Sequence, residues 1–188
     1  MKLNLASVSL ICLSASMTFS CTGSDDGIIK PPTAANLLVN ASFEEDGSPS
    51  LTGWIPDDTT SQIGYSQDVP PDGGNWSISI EPGWAPETFS VYSVVSAIPG
   101  TNRYQLSFWS KTEDVGGLAY LGFKQADTLI VRKAVNVGLS DTTWSIYSVT
   151  DTICADIGDS IVVSLSGGFS EVSCGVTHFD LVTLEKLD

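Results

Sequence analysis

Histidine is almost missing from this sequence; His178 is the only one. A hydrolytic triad needs a base that orients and deprotonates its nucleophile, and zinc needs several nitrogen or sulfur ligands. Both chemistries are therefore disfavoured. No GxSxG, phosphate loop or HExxH occurs. Carboxylates are plentiful, but nothing singles out a pair for glycoside hydrolysis; Asp57-Asp58 and Glu113-Asp114 read as loop charges. Basic residues are scarce, 8 against 22 acidic, for a net charge of -14. That balance excludes a phosphate backbone as partner, so no nucleic acid. It also argues against electrostatic docking on anionic lipid. What it favours is a neutral partner or a cation.

The longest apolar stretch, Leu3 to Ser16 behind Lys2, is too short to span a bilayer comfortably and reads as a secretory leader. Cys21 follows in TFSC, with Asp25 and Asp26 close behind. The arrangement resembles a bacterial lipoprotein signal, with Thr18 and Phe19 departing from its usual residues. The resemblance implies lipidation of Cys21 and a lipid anchor in the outer membrane or at the cell surface. Without lipidation the chain is expected to be secreted or periplasmic. The organisation is thus residues 1–20 as signal peptide, 21–35 as a flexible tether carrying Pro31-Pro32, and 36–188 as one domain. Cys12 would leave with the leader. The pair left in an oxidising compartment, Cys154 and Cys174, is expected to form a disulfide.

From Asn36 onward no amphipathic helix stands out. Short β-rich runs alternate with turn residues: Leu37 to Ala41, Trp76 to Glu81, Phe89 to Ile98, Leu118 to Gln125, Leu129 to Val137, Trp144 to Thr150, Ile161 to Leu165 and Val176 to Leu184. Ala126-Asp127-Thr128 reads as a hairpin turn. Tyr104, Leu106 and Phe108 share one face of a strand, and Gln105, Ser107 and Trp109 the other. Evenly spaced short strands predict an all-β fold, a two-sheet antiparallel β-sandwich with apolar inner faces.

NLLVNASFE, GW, GGNWSISI, YQLSFWSK, WSIYSVT and THFDLVTLEK occur in that order. Together they resemble the jelly-roll carbohydrate-binding modules of the galactose-binding-like fold, especially those appended to xylanases and other β-glucanases. The resemblance covers Asn36 to Lys186. It implies a structural calcium ion where the first loop meets the last strand, with Glu44 and Asp180 as side-chain ligands and backbone oxygens near Asp72 to Asn75 completing the shell. It also implies a ligand surface of outward aromatics: Trp109 first, then Trp84 and Tyr120, with Gln105 and Arg103 beside Trp109. Trp54, Trp76 and Trp144 are assigned to packing, and His178 to a structural role. The function implied is a non-catalytic module that captures a neutral glycan or polysaccharide. The competing reading is a structural or adhesion subunit that binds an envelope protein.

Overall fold

The computed structural model describes residues 35–57, 62–82, 89–168 and 175–187. The strands are β1 (Glu44–Glu45), β2 (Ser48–Pro49), β3 (Ile55–Pro56), β4 (Ile63–Ser66), β5 (Ser77–Ile80), β6 (Ser90–Ser96), β7 (Gly100–Glu113), β8 (Gly117–Gln125), β9 (Thr128–Val137), β10 (Ser145–Ala155), β11 (Ser160–Gly167) and β12 (Val176–Leu187). Two five-stranded sheets form, in the orders β10-β7-β12-β5-β4 and β3-β6-β11-β8-β9, with β1-β2 as a separate small hairpin. All pairings are antiparallel. The two-sheet antiparallel sandwich expected from the sequence is the fold observed.

Period-two alternation decides what lies between the sheets. In the first sheet Tyr104, Leu106 and Phe108 of β7 face inward with Ile78, Ile80, Phe179 and Leu184. In the second, Val91, Ile161, Val163, Leu165, Ala119 and Leu121 face them. Phe108 stacks on Tyr147 at 5.4 Å between ring centroids and tilts against Phe179 at 5.8 Å. Phe43 packs on Trp54 at 5.1 Å and closes the core near the start of the domain. Trp54 thus packs as expected.

Three expectations do not survive. Leu37 to Ala41 is not a strand. Positive φ at Asn40 and Phe43 breaks the ladder, although Leu37 N still donates to Leu184 O at 2.8 Å and Val182 N to Ala41 O at 2.9 Å. Trp76 is only half-buried; its Nε1 donates to Gly47 O at 3.1 Å, so it covers the β1-β2 hairpin. Trp144 lies outside the core cluster. Its ring covers the outer face of the first sheet, against His178 at 6.1 Å and with Lys111 Nζ 5.9 Å from its centroid.

The expected disulfide joins Cys154 to Cys174. Cys154 is exposed and unbonded, opposite Thr101 at the start of β7. Cys174 lies outside the described residues.

Candidate functional site

Two acids from opposite ends of the domain meet at one turn. Glu44 follows a strained corner, where Asn40 Oδ1 accepts its N–H at 2.9 Å while Asn40 Nδ2 donates to Ser50 O at 2.8 Å. Asp180 lies at a bulge in β12, where pairing with β7 shifts register between Asp180 and Thr183 and Leu181 takes φ 48°. Bulges re-aim side chains, and here Asp180 points under the Pro70–Asn75 turn. Asn75 N donates to Glu44 Oε2 at 2.9 Å. A Cβ at Gly73 would run into Asp180 Oδ2, and one at Gly74 into Glu44 Oε1. Both glycines are thus needed for the backbone to approach the carboxylates.

Asp180 is fully buried. Its Oδ1 accepts from Leu181 N at 2.7 Å, but Oδ2 has no partner. Burial pushes its pKa up to about 8; the Leu181 N–H pulls the other way, and the Glu44 charge adds to the rise. A buried carboxyl oxygen without a partner is costly. The residues present fit a hard cation: two carboxylates converge on a loop rich in backbone oxygens. No group of three or more His, Cys, Asp or Glu suited to a metal occurs among the described residues. Any ion here would therefore draw the rest of its shell from carbonyls and water, as calcium tolerates.

The expected ligand residues fall on two different sheets. Trp109, Gln105 and Arg103 share the outer face of the first sheet, with Trp109 half-exposed between Ile146 of β10 and Asp180 of β12. Tyr120 projects from the outer face of the second sheet, across the core from them. The five residues therefore do not form one site. Trp84 and Cys21 lie outside the described residues.

Around Tyr120 the second sheet carries a depression of about 290 Å³. Tyr92 of β6 and Tyr120 of β8 both pair with the buried Ser164 of β11, so the rings straddle it in one row. At about 4.8 Å per strand their backbones are roughly 10 Å apart. Val162 floors the space, and Asp57, Lys124 and Asp127 ring it. Asp57 is held by Ser90, whose Oγ donates to Asp57 Oδ2 at 3.3 Å. A second depression of about 420 Å³ includes Leu118, Asn136 and Ser166. These three share a register row with Ser90, so the two hollows adjoin as a trough across one sheet. Tyr92 was not singled out in the sequence because Val91, Tyr92, Val94 and Val95 leave both faces of β6 apolar. That double-sided apolarity was the available signal, since an exposed apolar face is itself informative.

A third cluster holds charge without a hollow. Lys111, buried in the first sheet, pairs with Asp68 and with Glu113 Oε1 at 3.3 Å. Burial works to lower its pKa, but Asp68 and Glu113 outweigh that and hold the ammonium charged. Lys111 and the Trp144 N–H keep Asp68 below the usual carboxylate range. His178 is buried beside them, with Nε2 3.3 Å from Glu113 Oε1. Its pKa is lowered by burial and by Lys111. The cluster matches the structural role expected for His178.

No family model and no curated protein sequence matches this chain. Solved structures do. The enzymatically active domain of bacteriophage CBA120 tailspike protein 4 aligns at TM-score 0.62 and 17% identity, over 81% of this chain but only 21% of that one. A family 16 carbohydrate-binding module aligns at TM-score 0.59 and 19% identity, over 79% of this chain and 99% of its own. The module TmCBM61, solved with β-1,4-galactotriose, aligns at TM-score 0.52 and 17% identity, over 82% and 100%. At these identities the likeness establishes the fold: a galactose-binding-like jelly roll of the kind carbohydrate-binding modules adopt.

Proposed function

We propose that this domain is a non-catalytic module that captures a neutral glycan in the trough on its second sheet. The observation that carries the reading is the pair Tyr92 and Tyr120 flanking an apolar floor, with Asp57, Lys124 and Asp127 at the rim. Aromatic faces pack against the C–H surface of a pyranose ring, and rim side chains meet its hydroxyls. Pockets that bind small molecules share this build: an apolar floor and a few placed polar groups. Two full-length neighbours are carbohydrate-binding modules, one solved with a galactotriose, which supports a sugar as the occupant. The -14 charge favours a neutral one.

In this reading Glu44 and Asp180 hold a structural calcium ion with backbone oxygens near Asp72 to Asn75, tying the beginning of the domain to its end. Cys21 carries the lipid that anchors the module to the membrane, so that captured glycan is kept at the cell surface. The anchoring rests on the lipoprotein-like signal, and the calcium on the converging carboxylates and the partnerless Asp180 Oδ2.

The test is affinity electrophoresis against a panel of neutral polysaccharides that includes β-1,4-galactan. Tyr120→Ala and Tyr92→Ala are expected each to weaken retention about tenfold, roughly 1.4 kcal/mol, while Trp109→Ala leaves it unchanged. Loss of retention with Trp109→Ala alone would move the site to the first sheet. A blank panel, with an envelope protein recovered by pull-down, would replace glycan capture by the structural reading.

A further inference from the structure

The turns β6–β7, β8–β9 and β10–β11 gather at one end of the sandwich. Ser160 fixes this, because it pairs with Ser96 on one side and Lys124 on the other. Ala97 N also donates to Asp159 O at 3.0 Å. At this end lie five of the eleven exposed large apolar side chains among the described residues: Ile98 in the first turn, Leu129, Ile130 and Val131 along the second hairpin, and Ile157, 92% exposed, at the tip of the third. None of the three turns needs them. Gly158, at φ 97°, already provides the sharp bend beside Ile157, and Asp159 Oδ2 accepts from Asp156 N at 2.8 Å. Separate aliphatic tips on three loops suit a fluid apolar phase better than the shaped surface of a folded partner.

Charge is sorted along the same axis. Six Lys and Arg follow residue 34. Arg103, Lys124 and Lys186 lie near this end, Arg132 and Lys133 on β9 at mid-strand, and only Lys111 at the far end. Asp127, Asp156 and Asp159 share the end, and Arg132 Nε neutralises Asp151 at 2.9 Å. Glu185 also lies near this end, beside Lys186, whereas Glu44, Asp68, Asp72, Asp141 and Asp180 lie toward the opposite end. The apolar end is therefore the least negative face of a chain carrying -14.

Leu187 pairs with Arg103, and Leu37 runs beside Leu184, so both ends of the described domain lie on this side as well. Cys21 lies fourteen residues before Ala35. In the lipid-anchor reading the segment between them is the tether, and it keeps the domain near the membrane that Cys21 joins.

We propose that Ile98, Ile157 and the Leu129–Val131 edge dip into the headgroup region of a zwitterionic lipid surface, giving the domain a second membrane contact and a fixed orientation. In that orientation the Lys124, Asp127 and Leu129 end of the trough faces the membrane, and the Tyr92–Tyr120 row stands above it. The proposal rests on the lipid-anchor reading only for the tether; the apolar end itself is independent of it.

The experiment uses the full chain purified from the envelope, with Cys154 and Cys174 changed to Ser and a fluorophore on Ile157→Cys. A matched chain carries it on Leu139→Cys, exposed at the other end. Each is mixed with excess phosphatidylcholine vesicles containing brominated lipid. Quenching at 157 several-fold greater than at 139 is expected. Equal quenching, or none at 157, would overturn the proposal. So would a label at 157 shielded without lipid in a chain eluting at twice 19.9 kDa, which would assign the end to a second copy. Mass spectrometry of the N-terminal peptide reads the lipid on Cys21 separately. An unmodified Cys21 removes the anchor while the quenching comparison at excess lipid still decides the docking face.

Discussion

His178 shows how one side chain sets an acid limit. It is buried, its Nδ1 has no hydrogen-bond partner, its Nε2 lies 3.3 Å from Glu113 Oε1, and burial and Lys111 lower its pKa. Glu113 and Asp68 pull in the other direction but do not prevail. A histidine whose folded pKa lies below its unfolded value of about 6.5 binds more protons unfolded. Its contribution is complete above that pH and declines as pH falls toward the folded value. Thermal unfolding is expected to show a loss of stability as pH falls below about 6.5 that His178→Gln reduces. The Lys111–Asp68 pair predicts a further loss at lower pH, as the depressed Asp68 carboxyl takes up its proton. An unchanged profile in His178→Gln would mean that the ring is already charged in the native state. The same cluster explains why Trp144 misled. Its sequence position opens an alternating strand, and nothing local reveals that the residue beneath it is a buried lysine rather than the core.

At the scale of elements, alternation made the sheets legible. Tyr104, Leu106 and Phe108 were placed inward by period alone, and they are buried. The β8–β9 hairpin was legible from its length and from Asp127, although Ala126 takes φ 50° there, a conformation its residue type does not favour. Leu37 to Ala41 was not, because its apolar residues resemble a strand while Asn40 and Phe43 adopt positive φ to aim Glu44. The Pro70–Asn75 turn carries the sharpest test. Gly74 has φ 68°, and a Cβ there would meet Glu44. Gly74→Ala is expected to cost about 1–2 kcal/mol from backbone conformation alone, and more if Glu44 is displaced. Gly100→Ala, at φ 97° with nothing within 4 Å, isolates the conformational part. A larger drop in melting temperature for Gly74→Ala than for Gly100→Ala measures the steric share. Equal drops would show that Glu44 yields freely.

Across the whole molecule, the sequence pointed to the clasp more surely than to the trough. Glu44 and Asp180 lie far apart in the chain, and only a likeness to a known fold connected them; the structure brings both to the Asp72–Asn75 backbone. The trough depends on which face of β6 and β8 turns outward, and on a sheet order that local pattern does not encode. The clasp also sets how the domain holds together. Without a cation, Asp180 is buried with an oxygen that has no partner and a pKa pushed up to about 8, beside Glu44. A bound divalent ion binds the folded state alone, so stability rises with its concentration, by about 2.7 kcal/mol at a hundred times its dissociation constant. For a domain of this size that is a rise of roughly 5–10 °C. Calcium is expected to raise the melting temperature in this range and EDTA to reverse it. Asp180→Asn keeps the shape but removes one charge; it is expected to lose the calcium response and to melt near the temperature of the calcium-free native chain. Glu44→Gln should do the same from the other terminus. A calcium response that survives both substitutions would place the ion elsewhere, and no response in the native chain would leave Asp180 as a protonated core residue that holds the bulge of β12 without a metal.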